Sequence, residues 1–300
     1  MISGIINVNK PKNITSHDVI YKLRKILGIK KLGHTGTLDP ATTGVLPIFI
    51  GRYTRLIQYI STDKEYVAEI TLGITTKTYD ADGEIISKQP VSIEKEKILN
   101  ALNAFKGEIQ QEVPLTSAMH YKGKRLYTYA HKNIEIKDLP IKTVNIYYIE
   151  LLDMIDSEYP VVKVKIGCSS GTYIRSIAND LGKNLGCGAY LSNLTRTMAA
   201  NLYIDNSFTI ENIQKAKDNN ELKNVLISAI EVIKLPKMLI NDGQIKSISF
   251  GQAIEANIIL KQYNLKLDSK VMLLDNCNNI VAIGKYEETD NIIKPITVVV

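Results

Sequence analysis

No apolar run in this 300-residue sequence approaches the length needed to cross a bilayer; the longest, such as Val45 to Ile50, end within two turns of a helix. The first residues also lack the basic-then-apolar pattern of a secretory signal, so a cytoplasmic protein with no membrane contact is expected. Cysteine is scarce: Cys168, Cys187 and Cys277 stand far apart, an odd number with no pair spaced as a metal clip or redox couple. All three are expected to be buried or inert thiols, and no metal site is expected. There is no internal repeat, no low-complexity stretch and no sustained heptad, which leaves a monomer as the default. No glycine-rich segment ends in Gly-Lys-Ser/Thr, which removes the Walker type of nucleotide loop.

What is present is an ordinary globular composition, 45% hydrophobic and 23% charged. The length suits one large domain plus a small one. The net charge of +6 is unevenly spread. Residues 1–60 hold nine Lys and Arg against only Asp18 and Asp39, and 161–230 are mildly basic, whereas 61–160 are net acidic. Such a distribution suits a surface for a polyanion, although lysine-rich faces also serve solubility alone.

The most informative stretch is Gly33-His34-Thr35-Gly36-Thr37-Leu38-Asp39-Pro40, continuing through Ala41-Thr42-Thr43-Gly44-Val45-Leu46-Pro47. One carboxylate, Asp39, sits in a loop of small and hydroxylated residues that lets a substrate approach the backbone closely. Asp-Pro is equally a helix start, with Asp39 as N-cap and Pro40 at the first helical position, and the motif alone favours that capping role; the two glycines before it and His34 beside it shift the balance toward a reactive carboxylate.

The surrounding pattern is α+β. A strand over Ile2 to Val8 leads to a turn at Lys10-Pro11-Lys12-Asn13. A helix then starts with Ser16 as N-cap, places Val19, Ile20, Leu23, Ile26 and Leu27 on one stripe and stops at Gly28. Lys22, Arg24 and Lys25 face away from that stripe. Tyr66 to Leu72 alternates as a strand with Tyr66, Ala68, Ile70 and Leu72 on one face. Ser92 is read as opening a helix with Ile98, Leu99, Leu102 and Phe105 inward and Gly107 as its end. A strand from Val161 to Cys168 and a Ser169-Ser170-Gly171 turn precede a helix whose buried stripe is Ile174, Ile177, Ala178, Leu181 and Leu185. Arg175 falls in the first turn of that helix, where the dipole disfavours a cation, which implies a negative partner. Beyond about Leu235 short alternating segments separated by Asn and Asp turns predict a small β-rich module. The boundary is placed so that 1–233 form one domain and 234–300 a second.

Asn9-Lys10-Pro11 with Thr15-Ser16, GHTGTLDPATTGVLP, KEYVAEITLG, VPLTSAMHYKGKRLYTYA and CSSGTYIRSIANDLGKNLGCGAYLSNLTRT recur in an order that resembles the bacterial tRNA pseudouridine-55 synthase family. The tail resembles the small PUA-type RNA-binding module of many members. The resemblance implies a pseudouridine-synthase fold, a mixed and largely antiparallel sheet flanked by helices and loops. It implies isomerisation of one uridine in the tRNA T-loop, with the base detached from C1′, turned and rejoined through C5. No cofactor, no obligatory protein partner and no guide RNA are implied; tRNA, through its T-arm and elbow, is the partner. The matching positions give Asp39 as catalytic carboxylate, nucleophile or base, with Arg175 held against it to favour the charged form. Tyr66 matches an active-site tyrosine, Leu194 an apolar pocket residue and His34 a histidine that helps hold the everted nucleotide. Lys10, Gly36 and Thr37 complete the expected substrate-binding set, and Lys22, Arg24, Lys30 and Lys31 would join Lys10 on the RNA backbone.

Taken singly, Tyr66 and Leu194 read as core residues, Arg175 as a solvated helix residue and His34 as a turn residue bonding its own backbone. The sequence also departs from the family pattern. Asn13 replaces a usual glycine, and asparagine tolerates positive φ. Ala41-Thr42 stand for Leu-Ala, and Val113, Thr116, His120 and His131 replace a proline, a tyrosine, a lysine and an arginine. A non-catalytic tRNA-folding factor and a guide-RNA-dependent relative are the alternatives to a stand-alone isomerase.

Overall fold

The computed structural model describes residues 2–130, 132, 134, 136, 138–256 and 265–300, so His131 lies outside the described residues. The main sheet is built from β1 (Gly4–Lys10), β2 (Leu32–His34), β3 (Thr43–Ile50), β4 (Lys64–Leu72), β5 (Gly107–Glu112), β6 (Ile141–Ile155), β7 (Val161–Cys168) and β8 (Ala189–Ala199). Its order is β1-β3-β8-β4-β7-β6-β5, with β2 branching from β3 and a short strand, Leu202–Tyr203, from β8. Every pair is antiparallel except β8 with β3, which run parallel over Thr195 and Arg196. This is the mixed, largely antiparallel α+β sheet expected.

Alternation dictates the burial. Tyr66, Ala68, Ile70 and Leu72 of β4 are all buried, and the first three face Ile166, Val164 and Val162 of β7 in register. Helices α1 (Ser16–Leu27), α2 (Lys95–Asn103) and α3 (Ile174–Asn184) contribute their apolar stripes to the same core. Each fully buried Ile or Leu there contributes about 1.5–3 kcal/mol of apolar transfer free energy. The parallel seam requires glycine: Gly44 has φ +103°, and a Cβ on it would lie 2.2 Å from the Arg196 carbonyl oxygen.

The structure corrects several sequence expectations. Strand β1 runs on to Lys10 because Asn9 and Lys10 continue to pair with Val45 and Gly44. The N-cap of α1 is Thr15, not Ser16, in a reciprocal capping box with Asp18. Helix α2 starts at Lys95 rather than near Ser92, and Leu99, about 100° round from Ile98, is 38% exposed. Gly107 opens β5 instead of closing the helix. Of the three free cysteines, Cys168 is buried, Cys187 half-buried and Cys277 exposed, so burial holds for only one of them. Asn13 does take the positive φ that its position demands, +67°.

The C-terminal residues form a second sheet of β9 (Lys237–Leu239), β10 (Ile254–Glu255), β11 (Lys270–Leu274), β12 (Ile280–Glu287) and β13 (Ile292–Val298), ordered β9-β11-β12-β13-β10. Met272, Leu274, Ile280 and Ile283 pack on Ile5, Phe49 and Leu56 of the larger unit. Val271, Leu273, Val281 and Ile293 close a separate core with Met238 and Ile248. The Tyr59 and Thr297 hydroxyls bond across the seam at 2.6 Å.

Lys10 is the clearest departure from expectation. It is fully buried, and its Nζ donates to the carbonyls of Pro11, Ile14 and Pro40 at 2.9, 2.7 and 3.2 Å. It therefore cannot reach RNA phosphates; it ties the end of β1 to the loop that follows β2. Burial brings its pKa down to about 8, against a smaller opposing pull from Asp39. Lys10→Met is expected to cost about 2–4 kcal/mol in urea unfolding, because three buried carbonyls lose their donor. The folded-state pKa lies below the unfolded one, so the wild type gains stability relative to the variant as pH rises from about 8 toward 10.5. Unchanged stability with weakened RNA binding would restore the phosphate-contact role.

Candidate active site

The loop between β2 and β3 carries Asp39 and is pinned from below by backbone contacts. Ser16 is free to serve it because Thr15 caps the helix: the Leu38 amide donates to Ser16 Oγ at 2.9 Å, and that hydroxyl donates back to the Leu38 carbonyl. Pro40 holds Asn13 through its carbonyl as well as Lys10. The Thr42 amide donates to the Asp39 carbonyl, a single turn; no helix follows, so Asp39 is not an N-cap. Its carboxylate is left half-exposed, with 51% of the side chain open.

Arg175 meets that carboxylate. The start of α3 is fixed by buried Gln111, whose amide group bonds both the amide and the carbonyl of Tyr173. The Arg175 side chain, 9% exposed, then places Nη2 3.2 Å from Asp39 Oδ2 and Nη1 3.1 Å from Asp80 Oδ2. Nη1 also donates to the Thr116 hydroxyl at 2.6 Å. The negative partner that the helix dipole calls for is thus supplied twice. Asp80 escaped the sequence reading because it sits in a polar turn with no periodicity, where a charge reads as solvated. The Thr78 hydroxyl and the Asp82 amide both donate to its other oxygen, which fixes the carboxylate toward Arg175. Thr116, noted only as a departure from the family pattern, completes the same cluster.

Asp39 and Arg175 open onto a cleft of about 290 Å³ lined also by Gly36, Thr37, Tyr66, Leu194 and Lys64. Tyr66 is 7% exposed; burial raises the pKa of its hydroxyl, and the nearby Arg196 guanidinium opposes that rise. Lys64 is held below its usual value by burial and then by Arg196. Its ammonium donates to the Thr62 carbonyl at 2.8 Å. His34 lies outside the cleft lining. Its Nδ1 accepts from the Gly36 amide at 3.3 Å, and burial lowers its pKa, which favours the neutral ring. It is the backbone-bonding turn residue. Lys22, Arg24, Lys30 and Lys31 are exposed on and after α1. Among the described residues no three His, Cys, Asp or Glu side chains are grouped to hold a metal ion.

Arg196 carries no signal in the sequence and, like Lys10, is a buried cation beneath the Asp39 loop. It is fully buried, with Nε donating to the Val45 carbonyl at 2.7 Å and Nη2 to the Gly36 carbonyl at 3.1 Å. Burial along β8 does not alternate regularly, so no period marks Arg196 as inward-facing. Asp80→Asn tests the cluster's internal balance, since it leaves the buried Arg175 with one half-exposed carboxylate. A loss of about 1–3 kcal/mol in chemical denaturation is expected; unchanged stability would show that Asp80 does not hold the arginine.

Comparison with known proteins meets this geometry. Residues 24–174 match the model of the TruB family pseudouridylate synthase N-terminal domain. Residues 175–233 match that of the tRNA pseudouridylate synthase B C-terminal domain. The chain is 42% identical over 263 residues to tRNA pseudouridine synthase B of Dehalococcoides mccartyi strain CBDB1, covering 87% of this chain and 86% of the relative. It is 38% identical over 307 residues to tRNA pseudouridine synthase B of Prochlorococcus marinus strain SARG, covering 97% and 96%. Among solved structures, a Cbf5-Nop10-Gar1 complex aligns with TM-score 0.70 and 28% identity over 96% of this chain and 79% of the other. The two family models meet inside the first turn of α3, next to the arginine that grips the cleft carboxylate, and together they leave one assignment: the chain belongs to the TruB family of pseudouridylate synthases.

Proposed function

We propose that this protein is a stand-alone tRNA pseudouridine synthase that converts the T-loop uridine at tRNA position 55. The supporting observation is the Asp39 carboxylate, half-open to a cleft and held 3.2 Å from the Arg175 guanidinium, with Tyr66 in the same wall. The enzyme is an isomerase: the C1′–N1 bond breaks and a C1′–C5 bond forms, the C5 proton leaves and N1 gains one. Substrate and product have the same composition and oxidation state, so the reaction consumes no co-substrate.

A uridine inside a folded loop cannot present C1′ and C5 to a carboxylate, so the nucleotide is extruded and its lost stacking replaced by protein surface. Tyr66 and Leu194 offer an aromatic and an apolar wall for the base. Gly36 and Thr37 let the ribose approach the backbone. Asp39 acts at the sugar, as nucleophile or base, and Arg175 fixes the bearing of the carboxylate, because its planar guanidinium is itself held on Asp80 and Thr116 while Nη2 meets Asp39. With half of Asp39 in solvent, the pair adds little to stability; its value is orientation. His34, two residues before Gly36 of the cleft lining and bonded to its amide, is offered as a contact for the extruded nucleotide.

The basic surface of α1 and the following turn, Lys22, Arg24, Lys30 and Lys31, supplies sequence-independent contacts to the T-arm and elbow. The catalytic domain spans 1–233, and residues 234–300 form an RNA-binding module of the PUA type. No helix of the described residues is long and apolar enough to cross a membrane, and the proposed place of action is the cytoplasm, as a monomer.

The test is release of tritium from C5-labelled uridine in an unmodified tRNA transcript, with purified protein and no other RNA or protein. The wild type is expected to turn over, and Asp39→Asn to lose all product while its tRNA Kd stays within about threefold, because the carboxylate acts on the sugar rather than on phosphates. Absence of turnover by the wild type would overturn the stand-alone reading. An unchanged rate in Asp39→Asn would overturn the role of the carboxylate.

A further inference from the structure

Arg196 is a buried cation with no carboxylate against it among the described residues, although a charge so placed is costly unless its field is used or compensated. Two of its nitrogens are spent on the carbonyls of Val45 and Gly36. The third, Nη1, is buried with no acceptor. It lies just beneath Gly36, since a Cβ on that glycine, at φ +147°, would sit 3.7 Å from it. Arg196 and Tyr66 are direct cross-strand partners on β8 and β4, and after burial the Arg196 charge is the strongest influence on the Tyr66 hydroxyl. Burial is the main reason that Lys10, His34 and Lys64 lie below their usual values, and the same guanidinium adds to it in each.

We propose that Arg196 is a positioning residue for the isomerisation: its free Nη1 donates to the Tyr66 oxygen and stabilises the phenolate that removes the C5 proton after the new glycosidic bond has formed. This rests on the pseudouridine-synthase reading above. Once C5 has joined C1′, C5 carries both its hydrogen and the sugar, and the ring holds a C6=N1 double bond. Tyr66 phenolate takes the C5 proton, the C5–H electron pair becomes the C5=C6 double bond, and the C6=N1 pair accepts a proton at N1. The tyrosine then returns its proton to solvent, and no other reactant is needed.

Four charged or titratable groups lie around the Tyr66 hydroxyl. Arg196 comes from β8, Cys168 from β7, Asp39 from the catalytic loop, and Lys64 lies two residues before Tyr66 on β4 in the same cleft lining. Cys168, pushed up to about 11 by burial, is neutral, and Asp39 opposes the phenolate. Arg196 is the cation that favours it most, and Lys64, whose ammonium is tied to the Thr62 carbonyl, is the other positive group of the lining. The loop carbonyls of Val45 and Gly36 fix where the guanidinium points, so one residue both anchors the catalytic loop and supports the base.

The test compares Arg196→Gln, which removes the charge while keeping an amide donor, with Arg196→Lys, which keeps the charge. Both are assayed on the tRNA transcript with and without deuterium at C5. Arg196→Gln is expected to lower kcat by about 10²-fold, within the range of a general base, with KM for tRNA little changed. The alkaline-rising limb of kcat should move to higher pH and the C5 isotope effect should grow, because proton removal becomes the slow step. Arg196→Lys should recover part of the rate and of the pH profile, and Arg196→Gln should cost little more when added to Tyr66→Phe. A loss of rate with unchanged isotope effect and pH limb, or an equal loss in the Tyr66→Phe background, would overturn the proposal and leave Arg196 a loop anchor. A wild type without turnover would instead fail the functional reading itself.

Discussion

The arrangement depends on one guanidinium held where a helix least favours a cation. Arg175 enters the first turn of α3 against the dipole, and two carboxylates and a hydroxyl from three distant parts of the chain compensate it. Asp80, with 18% of its side chain exposed, is the structural half of the bridge, and Asp39, with 51% exposed, is the working half. A charge shared in this way gives its energy to the buried partner and its direction to the open one. The same carboxylate without the arginine would be a mobile surface group.

The loop around Asp39 is preorganised by side chains that bond to backbone rather than to each other. Lys10, Ser16 and Arg196 reach Pro40, Leu38 and Gly36 from β1, α1 and β8. Each contact fixes a carbonyl or amide that a loop would otherwise leave to water, so loop rigidity is set by the core beneath it. The second sheet adds to this base by packing on Phe49, which lies in β3 where the loop leads, and on Leu56 just beyond it.

What was legible in the sequence is what period and motif can carry. The alternation of β4 and β7 and the stripes of α1 and α3 gave the inward faces correctly, because burial on one face imposes those periods. The bearing of Arg175 toward a negative partner was readable from dipole logic, and the structure brings it to Asp39. Side chains that serve carbonyls far along the chain leave no pattern. Lys10 looked like a phosphate contact because a lysine beside a turn is normally solvated, yet three carbonyls hold it. Ser16 looked like a cap because Thr15 and Ser16 are chemically equivalent there, and the loop contact decided between them. Arg196 was invisible for the same reason, and Asp80 because a carboxylate in a polar turn has no period.

The most direct measurement is the single-turnover rate of pseudouridine formation by Arg175→Lys on tRNA transcript. A single ammonium cannot bridge Asp39 and Asp80 with a fixed fork, so the rate should fall about 10²-fold or more while the tRNA Kd stays within about threefold. A rate near that of the wild type would show that the carboxylate needs only a nearby positive charge, and the claim that its orientation is the controlling constraint would fail.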